Sequence, residues 1–150
     1  MPTHSSPRPH PTDAWVVRYF KRHRDDDPTD SKPDQAFLRA CPPEVRRRFY
    51  SVLVAVAKAR AVRFPGGGYW EAMHGDIAGF YEVRVTGPGR RQYRLFCILD
   101  AAPPGPDPRP TLAIITGLVK PIAELFTDVD YTRVRALGEE YLGRSPRSWG

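Results

Sequence analysis

Residues 79–121 read GFYEVRVTGPGRRQYRLFCILDAAPPGPDPRPTLAIITGLVKP. Three strands are expected here: Gly79–Thr86, Arg91–Asp100 and Thr111–Leu118, with Lys120-Pro121 closing the third. Gly87-Pro88-Gly89 joins the first two as a turn, since glycine supplies positive φ and proline fixes its own. Side chains alternate along a strand, so Glu82 and Arg84 share one face and Val83 and Val85 the core face. In the second strand Gln92, Arg94, Phe96 and Ile98 oppose Tyr93, Leu95, Cys97 and Leu99. The hairpin can therefore bring Arg84 and Arg94 onto one open face, in a register that alternation alone does not set. Leu112–Ile115 is apolar throughout, as expected of a strand buried on both faces. Between Val83 and Leu99 there is no acidic residue, whereas Arg84, Arg90, Arg91 and Arg94 all fall there. The expectation is a basic antiparallel sheet that the rest of the chain supports.

Upstream, Ala14–Phe20 is β-branched and aromatic and predicts a further strand, at an edge. His23–Lys32 is charged, and its Asp25-Asp26-Asp27 run lacks the spaced ligands of a divalent-cation loop, so it reads as solvated. Pro33–Cys41 predicts a short helix. Pro42-Pro43-Glu44 restarts helix, because a first-turn proline lacks only an N–H that has no partner there. This second helix is expected to run to about Arg60, with Val45, Phe49, Val52, Leu53 and Val56 as its core face. Arg46, Arg47, Arg48, Lys58 and Arg60 decorate it against Glu44 alone. They form a solvated face or a contact for phosphate or an acidic partner. Phe64–Gly68 is a connector, since no Gly-Lys-Ser/Thr follows its glycines. Tyr69–Asp76 is expected to be a short helix or turn, with Trp70 and Met73 capping the core. His74 is a candidate acid or base, or a structural residue.

Downstream, Ala101–Pro110 is an exposed proline-rich loop. Thr127-Asp128-Val129-Asp130 resembles a capping box and opens a last helix, with Val134, Leu137, Gly138 and Tyr141 inward and Gly143 as its stop. One domain over residues 14–143 is expected, with Met1–Asp13 a disordered tail and Arg144–Gly150 a loose basic one.

The chain has 150 residues and a net charge of +6, which suits one basic domain with an anionic partner or simply a soluble surface. Its 17 prolines cluster in Met1–Pro11 and Ala101–Pro110. Cys41 and Cys97 have no metal-ligand spacing and the histidines form no set with them, so both thiols are expected to be small buried hydrophobes and no metal site is expected. No apolar run is long enough to span a membrane, and the N-terminal residues lack the apolar core of a signal peptide. A cytoplasmic location follows as the expectation.

Three short motifs carry a resemblance. Gly79-Phe80-Tyr81-Glu82-Val83-Arg84, Tyr93-Arg94-Leu95-Phe96 and Ile115-Thr116-Gly117-Leu118-Val119-Lys120 resemble, in order and spacing, strands of phage-derived Gp49-like and HigB-like toxins of the RelE/ParE superfamily. Trp70-Glu71-Ala72-Met73-His74-Gly75 fits the segment before the first of them. The similarity runs from about Trp15 to Tyr141. It implies a small α+β domain, with an antiparallel sheet, an N-terminal helix pair and a C-terminal helix. It also implies the toxin of a type II toxin–antitoxin pair that cleaves mRNA on the ribosome without metal or other cofactor. Its partners would be the ribosome, mRNA and a cognate antitoxin with a helix-turn-helix domain. On this resemblance Arg94 is the phosphate clamp, aided by Arg84 and Lys120. Arg90, Arg91, Arg46 and Arg47 are candidate RNA contacts. His74, Tyr131, Glu82 and Tyr93 are candidates for acid and base, with Tyr93 expected on the far face from Arg94. Pro121 stands where the resemblance calls for a second lysine. Two other readings stay open on the same scaffold: a gyrase-inhibiting toxin, and a binding module without catalysis.

Overall fold

The computed structural model describes residues 14–58 and 70–150. The expected connector at Phe64–Gly68, the end of the second helix at Arg60 and the tail over Met1–Asp13 lie outside the described residues. The fold is α+β, a five-stranded sheet with three helices. In chain order the elements are β1 (Val16–Tyr19), α1 (Pro33–Ala40), α2 (Pro43–Lys58), β2 (Trp70–Ala72), a single 3-10 turn (Gly75–Ile77), β3 (Phe80–Gly87), β4 (Arg91–Asp100), β5 (Thr111–Pro121) and α3 (Asp128–Leu142). The sheet order is β1-β5-β4-β3-β2. All neighbours are antiparallel except β1 and β5, which run parallel. The expected antiparallel sheet with an N-terminal helix pair and a C-terminal helix is present, and β1 adds to it in parallel at one edge.

The expectation for Tyr69–Asp76 is corrected. Trp70–Ala72 is not helical but an edge strand, paired with Val83, Glu82 and Tyr81 of β3. Three residues are too few to show a period, and pairing with β3 imposes the extended form.

Helices cover both faces of the sheet. On one face α1 and α2 bury Val83, Val85, Tyr93, Leu95, Cys97, Leu112 and Ile114 beneath Leu38, Val45, Phe49, Leu53 and Val56. On the other, α3 buries Phe80, Phe96, Ile98, Ala113 and Ile115 beneath Val134, Leu137 and Tyr141. Two glycines permit these close approaches. A Cβ on Gly117 would lie 2.1 Å from the Phe37 ring of α1, and one on Gly138 of α3 would lie 2.1 Å from the Phe80 ring. The capping box on α3 is present as expected: Thr127 Oγ1 accepts from the Asp130 N–H, and Asp130 accepts from the Thr127 N–H. Cys41 and Cys97 are free and buried, and burial pushes the Cys41 thiol up to about 11.

Arg144–Gly150, read from sequence as a loose basic tail, makes specific contacts. Arg147 Nε donates to the buried Asp100 at 2.9 Å, and the Tyr141 hydroxyl donates to the same oxygen at 2.8 Å. Trp149 bridges to Phe20 beside β1, and the Arg18 guanidinium lies 4.2 Å from the Trp149 ring centre. The tail thus runs along the edge strand β1, whose unpaired backbone groups would otherwise face solvent. Among the described residues no helix is long and apolar enough to cross a membrane.

Candidate functional site

The β3–β4 register places Arg84 directly across from Arg94. Like charges in that position repel. Glu82, two residues before Arg84 and on the same face, resolves the repulsion. Its Oε1 accepts from Arg84 Nε at 2.6 Å and from Arg94 Nη1 at 2.9 Å. The network continues on both sides. Arg84 Nη2 reaches Glu71 of β2 at 2.6 Å, and Arg94 Nη2 donates to Gln92 Oε1 at 2.9 Å. A chain of charge-assisted bonds, Glu71–Arg84–Glu82–Arg94–Gln92, therefore crosses three strands. Glu82 is 3% exposed, and its Oε2 has no hydrogen-bond partner. A buried carboxylate oxygen left unbonded is costly, and such groups concentrate where a ligand or a reaction can use them.

Lys120 reaches the same face through a β-bulge. Phe96 pairs with Thr116 and Cys97 with Ile114, so Ile115 is an extra residue in β5. The insertion shifts the alternation of everything that follows it. Leu118 then pairs with Arg94 and Lys120 with Gln92. Lys120 Nζ bonds Asp130 of α3 at 2.6 Å and the Leu125 carbonyl at 3.2 Å. The Lys120 ammonium is the first cause holding the Asp130 carboxyl below the usual carboxylate range. Phe126 lies under both cations, its ring centre 5.1 Å from the Arg94 guanidinium and 5.8 Å from Lys120 Nζ.

Beside this network a cleft of about 480 Å³ opens between the β2–β3 edge, the 3-10 turn and the first turns of α3. Glu71, His74, Glu82, Arg84, Tyr131 and Arg135 line it. Tyr131 packs its ring edge-on against Phe96. Burial, and then the nearby Glu82 carboxylate, push its phenol above the ordinary tyrosine value, so it keeps its proton at neutral pH. Desolvation pulls the Arg84 guanidinium down, but Glu82 and Glu71 outweigh it and hold the group above its usual value. His74 is exposed at the mouth.

Of the residues singled out from sequence, Arg84, His74, Tyr131 and Glu82 meet in this cleft. Arg94 and Lys120 stand next to it. Arg94 is mostly occupied by Glu82 and Gln92, with a side chain 16% exposed against 46% for Arg84. Tyr93 faces the opposite side, as its alternation predicts, and is buried under α2. Arg46 and Arg47 lie on α2, away from the cleft. Arg46 Nη1 donates to the Leu38 carbonyl at 3.2 Å, closing the end of α1, whereas Arg47 is exposed. Arg90 and Arg91 are exposed at the outer end of the hairpin. Sequence alone does not single out Glu71, Gln92, Phe126 or Asp130 as site residues: Glu71 lies in a strand without a period of its own, and Asp130 carries only a helix-cap signal.

Comparison of the chain with protein-family models, with curated proteins and with solved structures returns no match.

Proposed function

We propose that the cleft cleaves RNA by attack of a ribose 2′-hydroxyl on the adjacent phosphate. In this reading the protein is the toxin of a type II toxin–antitoxin pair, acting in the cytoplasm on mRNA held by the ribosome and neutralised by a cognate antitoxin. The observation that carries the reading is the buried Glu82 carboxylate, with Oε2 free and Oε1 held by two arginines, on the floor of a cleft that also holds a protonated tyrosine. Glu82 takes the 2′-hydroxyl proton through Oε2, which is buried in the free protein and is reached when substrate displaces the Arg84 side chain at the cleft floor. The new 2′-oxygen–phosphorus bond forms as the bond to the 5′-oxygen breaks, leaving a 2′,3′-cyclic phosphate. Tyr131 or His74 returns a proton to the leaving 5′-oxygen. Arg84, the more exposed arginine, neutralises charge on the phosphorane, and Arg94 fixes Glu82 in place. Glu82, Arg84, Arg94 and Tyr131 are held on strands or a helix, whereas His74 lies in the short connection after β2.

Cell-free translation with mapped mRNA 5′ ends tests this. Wild-type protein is expected to produce discrete new ends within codons. Arg84→Ala and Arg94→Ala should each lower the cutting rate about 100-fold or more. Intact mRNA with unimpaired translation would remove the proposal.

One observation favours a second reading. Arg84, Arg94 and Lys120 are each already paired with a carboxylate, and Pro121 replaces a further cation. A binding protein without chemistry, gyrase-directed or otherwise, is compatible with that balance. Inhibited supercoiling with uncut mRNA would select the gyrase version.

A further inference from the structure

Arg84, Arg94 and Lys120 are each paired with a carboxylate, but the arginines at the outer end of the β3–β4 hairpin are not. Among the described residues no carboxylate lies within ion-pair distance of Arg47, Arg48, Arg90 or Arg91. These arginines belong to two elements that meet. Arg48 Nη1 donates to the Thr86 carbonyl of β3 at 3.2 Å. A Cβ on Gly87 would lie 2.6 Å from the Val45 side chain, so α2 rests directly on the hairpin end. The tip is tightly formed. Gly89 and Arg90 have φ of 72° and 53°, and the Ile122 N–H donates to the Arg90 carbonyl at 2.7 Å. An arginine thus occupies a left-handed position that glycine or asparagine adopts with less strain, which makes its side chain, not its backbone, the feature to explain.

The hairpin also gives this end a direction. Arg91 and Arg94 lie on the same strand, about 10 Å apart along it at the usual rise per residue. Arg94 is across from Arg84, which lines the cleft. Alternation turns Arg91 to the α2 face and Arg94 to the cleft face, so RNA held by Arg48, Arg90 and Arg91 would reach the candidate site by passing round the hairpin tip.

We propose that Arg48, Arg90 and Arg91, with Arg47 alongside, form a second phosphate-binding surface that holds the backbone of single-stranded RNA flanking the segment in the cleft. The proposal rests on the reading of RNA as substrate. Affinity and chemistry are then divided. The unpaired arginines provide the salt-sensitive attraction, and the neutralised cluster handles one phosphate. The guanidinium fork suits phosphate oxygens. Each phosphate neutralised on a single strand contributes about 0.7 to the slope of log affinity against log salt.

The test is fluorescence anisotropy with a labelled 2′-O-methyl RNA, which cannot be cut, titrated over a range of salt. The combined variant Arg48→Gln, Arg90→Asn, Arg91→Gln should weaken binding at least tenfold at low salt and lower the slope by about 2. Arg48→Lys, Arg90→Lys, Arg91→Lys should keep the wild-type slope. Arg84→Ala, which removes a single cleft cation, should lower the slope by no more than about 0.7. A neutralised variant with unchanged slope and wild-type far-UV circular dichroism would overturn the proposal. So would a wild-type protein that does not bind the RNA at all, which would assign the arginines to an acidic protein partner. Because this RNA cannot react, RNA binding with intact mRNA in the translation assay defeats only the nuclease reading. Codon-internal cutting with an unchanged slope defeats only the second surface.

Discussion

Two buried carboxylates lie on opposite faces of the sheet and meet opposite fates. Glu82, on the α3 side, is 3% exposed and bonded to Arg84 and Arg94. Asp34, in the first turn of α1, is fully buried with no ion-pair partner among the described residues. Burial pushes its carboxyl up to about 8, against the opposing pull of the Gln35, Asp34 and Phe20 N–H groups. The difference follows from how each face is covered. Two helices cap the Asp34 side, leaving an apolar interior in which an isolated acid keeps its proton. A single helix caps the Glu82 side, and α3 reaches only part of it. Where α3 stops, arginines and a lysine take over. A site forms where the cover is incomplete, and the same residue type becomes a neutral packing group or an ionic hub according to its neighbours.

Three substitutions can break or sharpen this contrast. The largest effect is expected at Asp34. Its pKa is raised on folding, so its contribution to stability is full below about pH 4, falls as pH rises, and is lost above about pH 8. Asp34→Asn should therefore gain stability relative to wild type as pH climbs through that window, by up to about 1.4 kcal/mol per unit. Urea denaturation of both proteins at pH 5, 6.5 and 8 measures it, and a flat difference would show that Asp34 is ionised in the fold. Next is Glu82→Gln. Removing one partner of a buried ion pair strands the other, and Arg94 is the more buried of the two arginines. A loss of about 3 kcal/mol is expected from the urea midpoint, and a loss near zero would mean that water reaches the pair. The smallest effect is expected at Thr127→Ala. Loss of the helix cap should cost about 1 kcal/mol, and it should leave Lys120 bound to Asp130. Thermal melts at matched pH would resolve the difference.

Much of the fold is legible because its signals are local. The alternation in β3 and β4 correctly separates Val83 and Val85 from Glu82 and Arg84, and Tyr93 from Arg94. The spacing of Val134, Leu137, Gly138 and Tyr141 identifies the buried side of α3, and Thr127 with Asp130 marks its start. Trp70–Ala72 is not legible, since a three-residue strand has no period and takes its form from β3. Nor is the role of Glu71, which depends on that pairing. Arg84 and Arg94 are visible as candidates, but their partners are not. That Asp130 would take the Lys120 charge depends on where α3 lands.

The sequence alone determined which of the longer segments become strands and helices, and which side chains share a face within β3, β4 and α3. Those periods come from backbone geometry and act over a few residues. Tertiary structure alone decided the rest. It set Arg84 across from Arg94, inserted Ile115 as a bulge so that Lys120 joins their face, and stopped the cover of α3 short of Glu82. Registers and helix placement minimise free energy over contacts between residues far apart in the chain, and a one-residue slip exchanges the two faces of a strand. No local pattern carries that information.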